Sequence, residues 1–145
     1  MVLDEYKRFN AEMFLKGRKS RLEEKKRLQG QLDALSELPS VDNKTGVRSS
    51  VPSDPTANHA AAELELINRI EDIDICEEAY EYGMSRLTED EQKLIKGFFE
   101  PKMPIWKFVR KWENEHYMGT TSVYKERRLA LEKFSSEIEK KWGLV

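Results

Sequence analysis

The stretch Gly119-Thr-Thr-Ser-Val-Tyr-Lys-Glu-Arg-Arg-Leu-Ala-Leu-Glu-Lys-Phe134 joins a helix-start signal to a basic, aromatic face and a continuous apolar underside. Val123, Ala130, Leu131 and Phe134, continued by Ile138 and Trp142, recur at helical spacing, which predicts a helix from Thr121 or Ser122 to about Trp142. With those residues facing a core, Thr121, Ser122, Tyr124, Lys125 and Arg128 point outward from the first turns, and Arg127 stands beside them. Such an inventory suits duplex DNA. Lys and Arg donate to guanine O6 and N7 or to phosphates, Ser and Thr bond phosphates or base edges, and Tyr lies against a sugar or a thymine methyl.

Upstream, Leu87-Thr88-Glu89-Asp90-Glu91 carries a capping box, with Thr88 as N-cap and Glu91 three residues on, and its acids sit at the positive end of a helix dipole. Leu94, Ile95, Phe98 and Phe99 form the inner face of that short helix, and Glu100-Pro101 stops it. Pro104 suits the first turn of the next helix, expected to reach about Glu113 with Ile105, Phe108, Val109 and Trp112 inward. Asn114 to Thr121, containing Gly119, reads as a turn too long for the tight form. Two short helices, a turn and a longer basic helix make a helix-turn-helix, with Lys107, Arg110 and Lys111 set to meet phosphates. Trp106, Trp112 and Trp142 are read as core rather than as base-stacking platforms.

Leu87-Thr-Glu-Asp-Glu-Gln-Lys-Leu-Ile95 and Ser122-Val-Tyr-Lys-Glu-Arg-Arg-Leu-Ala-Leu-Glu-Lys-Phe134 resemble the C-terminal unit of the ArpU/RinA-type phage transcriptional regulators. That unit is similar in turn to the promoter-reading fourth region of sigma factors. The resemblance covers roughly residues 85 to 142. It implies a phage or prophage regulator that binds DNA and activates late transcription, with host RNA polymerase as a further partner. Ser122, Val123, Tyr124, Lys125, Arg127 and Arg128 would then be the recognition helix, packed through Ala130, Leu131 and Phe134. Met103-Pro-Ile-Trp-Lys-Phe-Val-Arg-Lys-Trp112 is bulkier than the small-residue bridging helix usual in sigma-like units.

Toward the N-terminus, residues 4 to 38 read as one long helix with a thin stripe of Tyr6, Phe9, Met13, Leu15, Leu22, Leu28, Leu32, Leu35 and Leu38. Gly17 and Gly30 weaken it by about 1 kcal/mol each relative to Ala. Residues 39 to 58, rich in Ser, Pro, Asp and Asn, read as a flexible linker. From about Thr56 to Ser85 an acidic helix follows, with Leu64, Ile67, Ile70, Ile73 and Tyr80 on one side and Leu66 beside them. Residues 59 to 87 hold two basic against eight acidic side chains, so this helix complements the first one electrostatically. The two can pair as a hairpin within the chain or zip two chains together as a coiled coil.

The expected architecture is all-α: a long first helix (1–38), a linker (39–58), an acidic helix that pairs with the first (59–86) and a DNA-binding unit (87–145). The whole chain of 145 residues has a net charge of −2, yet Lys102 to Arg128 holds seven basic residues against three acidic ones. One cysteine, Cys76, excludes an intramolecular disulfide framework and a cysteine zinc finger, and it is expected to pack as a small apolar residue. His59 and His116 are isolated and read as surface histidines. Without a signal peptide or a long apolar run, the cytoplasm is the expected compartment, with no membrane contact. No metal, cofactor or enzymatic activity is expected, since no catalytic motif is present. The leading expectation is sequence-specific binding of double-stranded DNA by a homo-oligomer joined through its N-terminal helices. The alternatives are a helical oligomerisation or interaction protein and a small terminase-like DNA-packaging subunit.

Overall fold

A computed structural model describes residues 10–37 and 55–143, and over these the chain is all-α. The helices are α1 (Ala11–Lys16), α2 (Arg18–Glu37), α3 (Pro55–Ser85), α4 (Glu89–Phe99), α5 (Ile105–His116) and α6 (Thr120–Trp142). The expectations for Tyr6, Phe9, Leu38 and residues 39–54 lie outside the described residues. Two compact units divide the chain: Lys19–Ile75, and the residues up to Arg18 together with those from Cys76 onward.

The single long first helix is two helices. α1 ends at Gly17, whose N–H bonds Met13 O at 3.0 Å, and α2 starts at the next residue. Glycine weakens a helix interior, and this one falls where the sequence offers few large apolar side chains. The stripe itself also shifts. Met13 is exposed, whereas its neighbour Phe14, outside the expected stripe, is buried with Leu15. The acidic helix starts at Pro55, so residues 55–58 are helical rather than linker. Proline is well suited to a first helical turn, where its missing N–H has no partner to lose.

In the Lys19–Ile75 unit, Leu28 is completely buried against Ile70 and Ile73, with Leu32 and Leu66 packed around them. Ion pairs flank this apolar contact: Lys25 with Asp74, and Arg69 with Glu24 at 2.8 Å. Burying one such aliphatic side chain contributes about 1.5–3 kcal/mol, so the leucine and isoleucine contacts dominate and the exposed ion pairs add little. Leu64, expected on the buried stripe, is exposed.

The other unit is built on α6. Val123, Ala130, Phe134 and Ile138 are fully buried along one side of it, the periodicity the sequence displays. The Phe134 ring sits 6.2 Å from Phe14 of α1 and 6.5 Å from Tyr80 of α3. Gly83 makes that approach possible, because a Cβ there would stand 2.5 Å from the Phe134 ring. Cys76 is buried in this unit, as its small apolar character suggests. Arg18 closes the unit on another side: its guanidinium donates to both Glu77 oxygens at 2.9 and 3.0 Å and to Glu100 at 2.8 Å, and it lies 3.9 Å from the Tyr80 ring centroid. Burial first, and then the bond to Glu100, push the Tyr80 hydroxyl well above its ordinary pKa.

Candidate nucleic-acid interface

Local chemistry fixes where α4 begins. The Thr88 hydroxyl accepts from the Glu91 N–H at 3.2 Å, and the Glu91 carboxylate accepts from the Thr88 N–H at 2.9 Å, completing the capping box. Burial raises the Glu91 pKa, but the Thr88 amide, Lys133 and the Thr88 hydroxyl together hold it below its ordinary value. Beyond the cap, Leu94 and Phe98 pack with Val109 and Trp112 of α5 and Val123 of α6 into one cluster. The Phe108 ring lies against Gly97, in the space that a side chain there would occupy.

The connection between α5 and α6 is shorter than the sequence suggests. Asn114, Glu115 and His116 belong to α5, and Thr120 and Thr121 to α6, leaving Tyr117, Met118 and Gly119 as a three-residue turn. Two local contacts carry α5 onward: the His116 ring stacks on Trp112 at 4.0 Å, and Lys111 pairs with Glu115 at 3.8 Å. Tyr117 stops the helix in the left-handed region, at φ 52° and ψ 50°, and the Met118 N–H bonds Glu113 O at 3.1 Å. Gly119 is extended, at φ −87° and ψ 171°, and is the N-cap of α6. A glycine is the residue usually found at a left-handed helix end. Tyrosine takes that position here.

The first turns of α6 have their expected exposure. Thr121, Ser122, Tyr124, Lys125 and Arg128 are exposed, on the side opposite Val123 and Ala130. Tyr124 leans on the Phe98 ring, with centroids 5.5 Å apart, so its orientation is set by the core. No side chain caps this helix and no acid lies in its first turn. The Thr120 hydroxyl instead donates to Glu113 at 2.8 Å.

Arg127 does not share that face. Its guanidinium bonds Glu12 at 3.0 Å and lies 5.1 Å from both the Phe98 and the Phe99 ring centroids, tying α1, α4 and α6 together. The hydrogen bond from Arg127, and then that from Lys16, holds the Glu12 carboxyl below its ordinary pKa. Arg127 is therefore half-buried and engaged by a residue far away in the chain, unlike the exposed side chains around it.

On α5, Lys107, Arg110 and Lys111 are all exposed and, spaced by three and four residues, share one face of the helix. Lys107 and Arg110 flank Trp106, with their charges 5.8 and 6.0 Å from its ring centroid. Lys111 lines a cleft toward α4. Trp112 is buried as expected and Trp142 half-buried, whereas Trp106 is 61% exposed. Trp106 and Tyr117, the latter 95% exposed, are the aromatic side chains that sequence reasoning did not assign to this surface. Trp106 does carry a signal, since it falls off the Phe108, Val109 and Trp112 stripe; the exposure of Tyr117 follows from a backbone conformation that no local pattern announces. His59 lies 3.8 Å from Glu63, and among the described residues no group of His, Cys, Asp or Glu is arranged to hold a metal ion.

Among the described residues, no helix is long and apolar enough to cross a membrane. Comparison with protein-family models, curated proteins and solved structures finds no match for this chain.

Proposed function

We propose that residues 87–145 bind double-stranded DNA as a helix-turn-helix, with the start of α6 in the major groove, and that the chain regulates transcription in the manner of the phage late activators it resembles. The observation that carries this reading is the three-residue turn followed by an uncapped, acid-free helix start from which Thr121, Ser122, Tyr124, Lys125 and Arg128 are exposed together. Lys125 and Arg128 would address guanine edges or phosphates, Thr121 and Ser122 would bond phosphates, and Tyr124 would pack on sugar or a thymine methyl. Lys107 and Arg110 would hold the backbone beside α5, with Trp106 between protein and sugar. Double-stranded DNA, host RNA polymerase and a second copy of the chain are the partners in this reading, in the cytoplasm.

The test is fluorescence anisotropy of duplex fragments from the encoding genome, titrated with the full chain at several salt concentrations. DNA binding through phosphates gives a linear fall of log affinity with log salt. Absence of salt-sensitive binding to any fragment would transfer the assignment to an interaction protein whose three C-terminal helices are structural.

A further inference from the structure

The cleft between α4 and α5 is open, about 440 Å³ in volume, and its composition is unlike that of the α6 surface. Lys93, Lys96, Lys102 and Lys111 stand around it, all exposed, against one lining carboxylate, Glu100. Glu100 is already engaged, accepting from the Arg18 guanidinium at 2.8 Å and from the Tyr80 hydroxyl at 2.7 Å. Lys93 and Lys111 have partners one turn away on their own helices, Glu89 at 3.3 Å and Glu115 at 3.8 Å. Such exposed pairs are worth little and yield readily to a ligand. Among the described residues, Lys96 and Lys102 have no ion-pair partner. Between the charges the lining is apolar: Met103 and the half-buried Phe108 ring, which rests on Gly97.

A cationic rim around an apolar interior selects a ligand with both characters. Phosphates gain nothing from a methionine and a phenyl ring, and a duplex is too broad to enter a cleft between two neighbouring helices. An acidic peptide with a bulky apolar side chain uses every part: carboxylates meet the lysines, and the apolar residue displaces water from Met103 and Phe108. Methionine adapts to side chains of different shape, so the cleft can accept several such residues. We propose that the α4–α5 cleft is a docking site for an acidic segment of a partner protein, anchored by one bulky apolar residue. This assignment does not depend on DNA binding by α6.

A display library of random dodecapeptides, selected in parallel on the full chain and on a Lys96→Glu/Lys102→Glu variant, tests the proposal. The wild-type chain is expected to enrich sequences in which Asp and Glu surround one Leu, Phe, Met or Trp. A synthetic peptide of that consensus should bind the variant at least about 10-fold more weakly, since two attractive charges become repulsive. It should bind a Lys125→Ala/Arg128→Ala chain as well as it binds the wild type. Melting curves establish that the lysine variant is folded, and Lys93→Gln/Lys96→Gln replaces it if charge reversal disturbs the helices. No enrichment, a consensus without acids or without an apolar residue, or equal binding to the folded variant would overturn the proposal. Displacement of the peptide by duplex DNA from the Lys125→Ala/Arg128→Ala chain would assign the cleft to nucleic acid instead.

Discussion

Helices α4 and α6 pack on the same cluster of Leu94, Phe98, Val109, Trp112 and Val123, yet they begin in opposite ways. α4 opens with Thr88 and Glu91 bonded reciprocally and with Glu89, Asp90 and Glu91 in its first turn. α6 opens on Gly119, with no side-chain cap and no acid in its first turn. The first four amide N–H groups of any helix lack partners inside it, and they make that end attractive to anions. At α4 the chain meets the need itself. At α6 it leaves the need unmet and surrounds it with exposed Thr121, Ser122, Lys125 and Arg128. An end left open in this way is a liability for stability and an asset for binding an anion from outside, and this contrast is the physical basis of the proposed DNA contact.

The comparison can be broken most forcefully at the α6 side chains. Replacing Lys125 and Arg128 together by Ala should lower affinity for the preferred duplex by about 10²–10⁴-fold, given roughly 1–3 kcal/mol for each good base contact, while circular dichroism and melting temperature stay nearly constant. Next in size is a change that makes the start of α6 resemble that of α4. Thr121→Glu puts an acid in the open first turn, and gel-shift titration should show DNA affinity falling at least about 10-fold even as the helix gains about 0.3–1 kcal/mol from its dipole. Conversely, Thr88→Ala opens the closed end. Denaturant unfolding should report a loss of about 1 kcal/mol, with DNA affinity unchanged.

The smallest effect expected is a pH dependence. Glu91 and Glu12 both have folded-state pKa values below their ordinary 4.5. Their contributions are therefore complete above that pH and disappear as it falls through the lower folded values. Glu91→Gln should lower the neutral plateau of the melting temperature profile and flatten its acid side by a comparable amount, so that the two proteins converge at low pH.

The contrast between the two helix starts was only half visible in the chain. Thr88 and Glu91 were legible because a capping box is a local pattern, three residues wide, that needs no tertiary contact. The buried side of α6 was legible too, since Val123, Ala130, Phe134 and Ile138 repeat at helical spacing. The entry to α6 was not, because α5 runs on to His116 and ends on Tyr117 in a left-handed conformation that no local pattern announces. Nor could the chain show that Glu12, more than a hundred residues earlier, bonds the Arg127 guanidinium. Trp106 shows that a large aromatic side chain can remain in water when its position on the helix lies away from the packed side. In the Lys19–Ile75 unit the contact of Leu28 with Ile70 and Ile73 was legible from helical spacing, but the break at Gly17 required knowing which residues would find neighbours.

Footprinting the purified chain on DNA from the genome that encodes it tests the open-end account most directly. The account predicts discrete protected tracts for the wild-type chain, which disappear with Lys125→Ala/Arg128→Ala and survive Thr88→Ala in a folded protein. Protection that is absent at low salt, or that persists unchanged when Lys125 and Arg128 are removed, would contradict it.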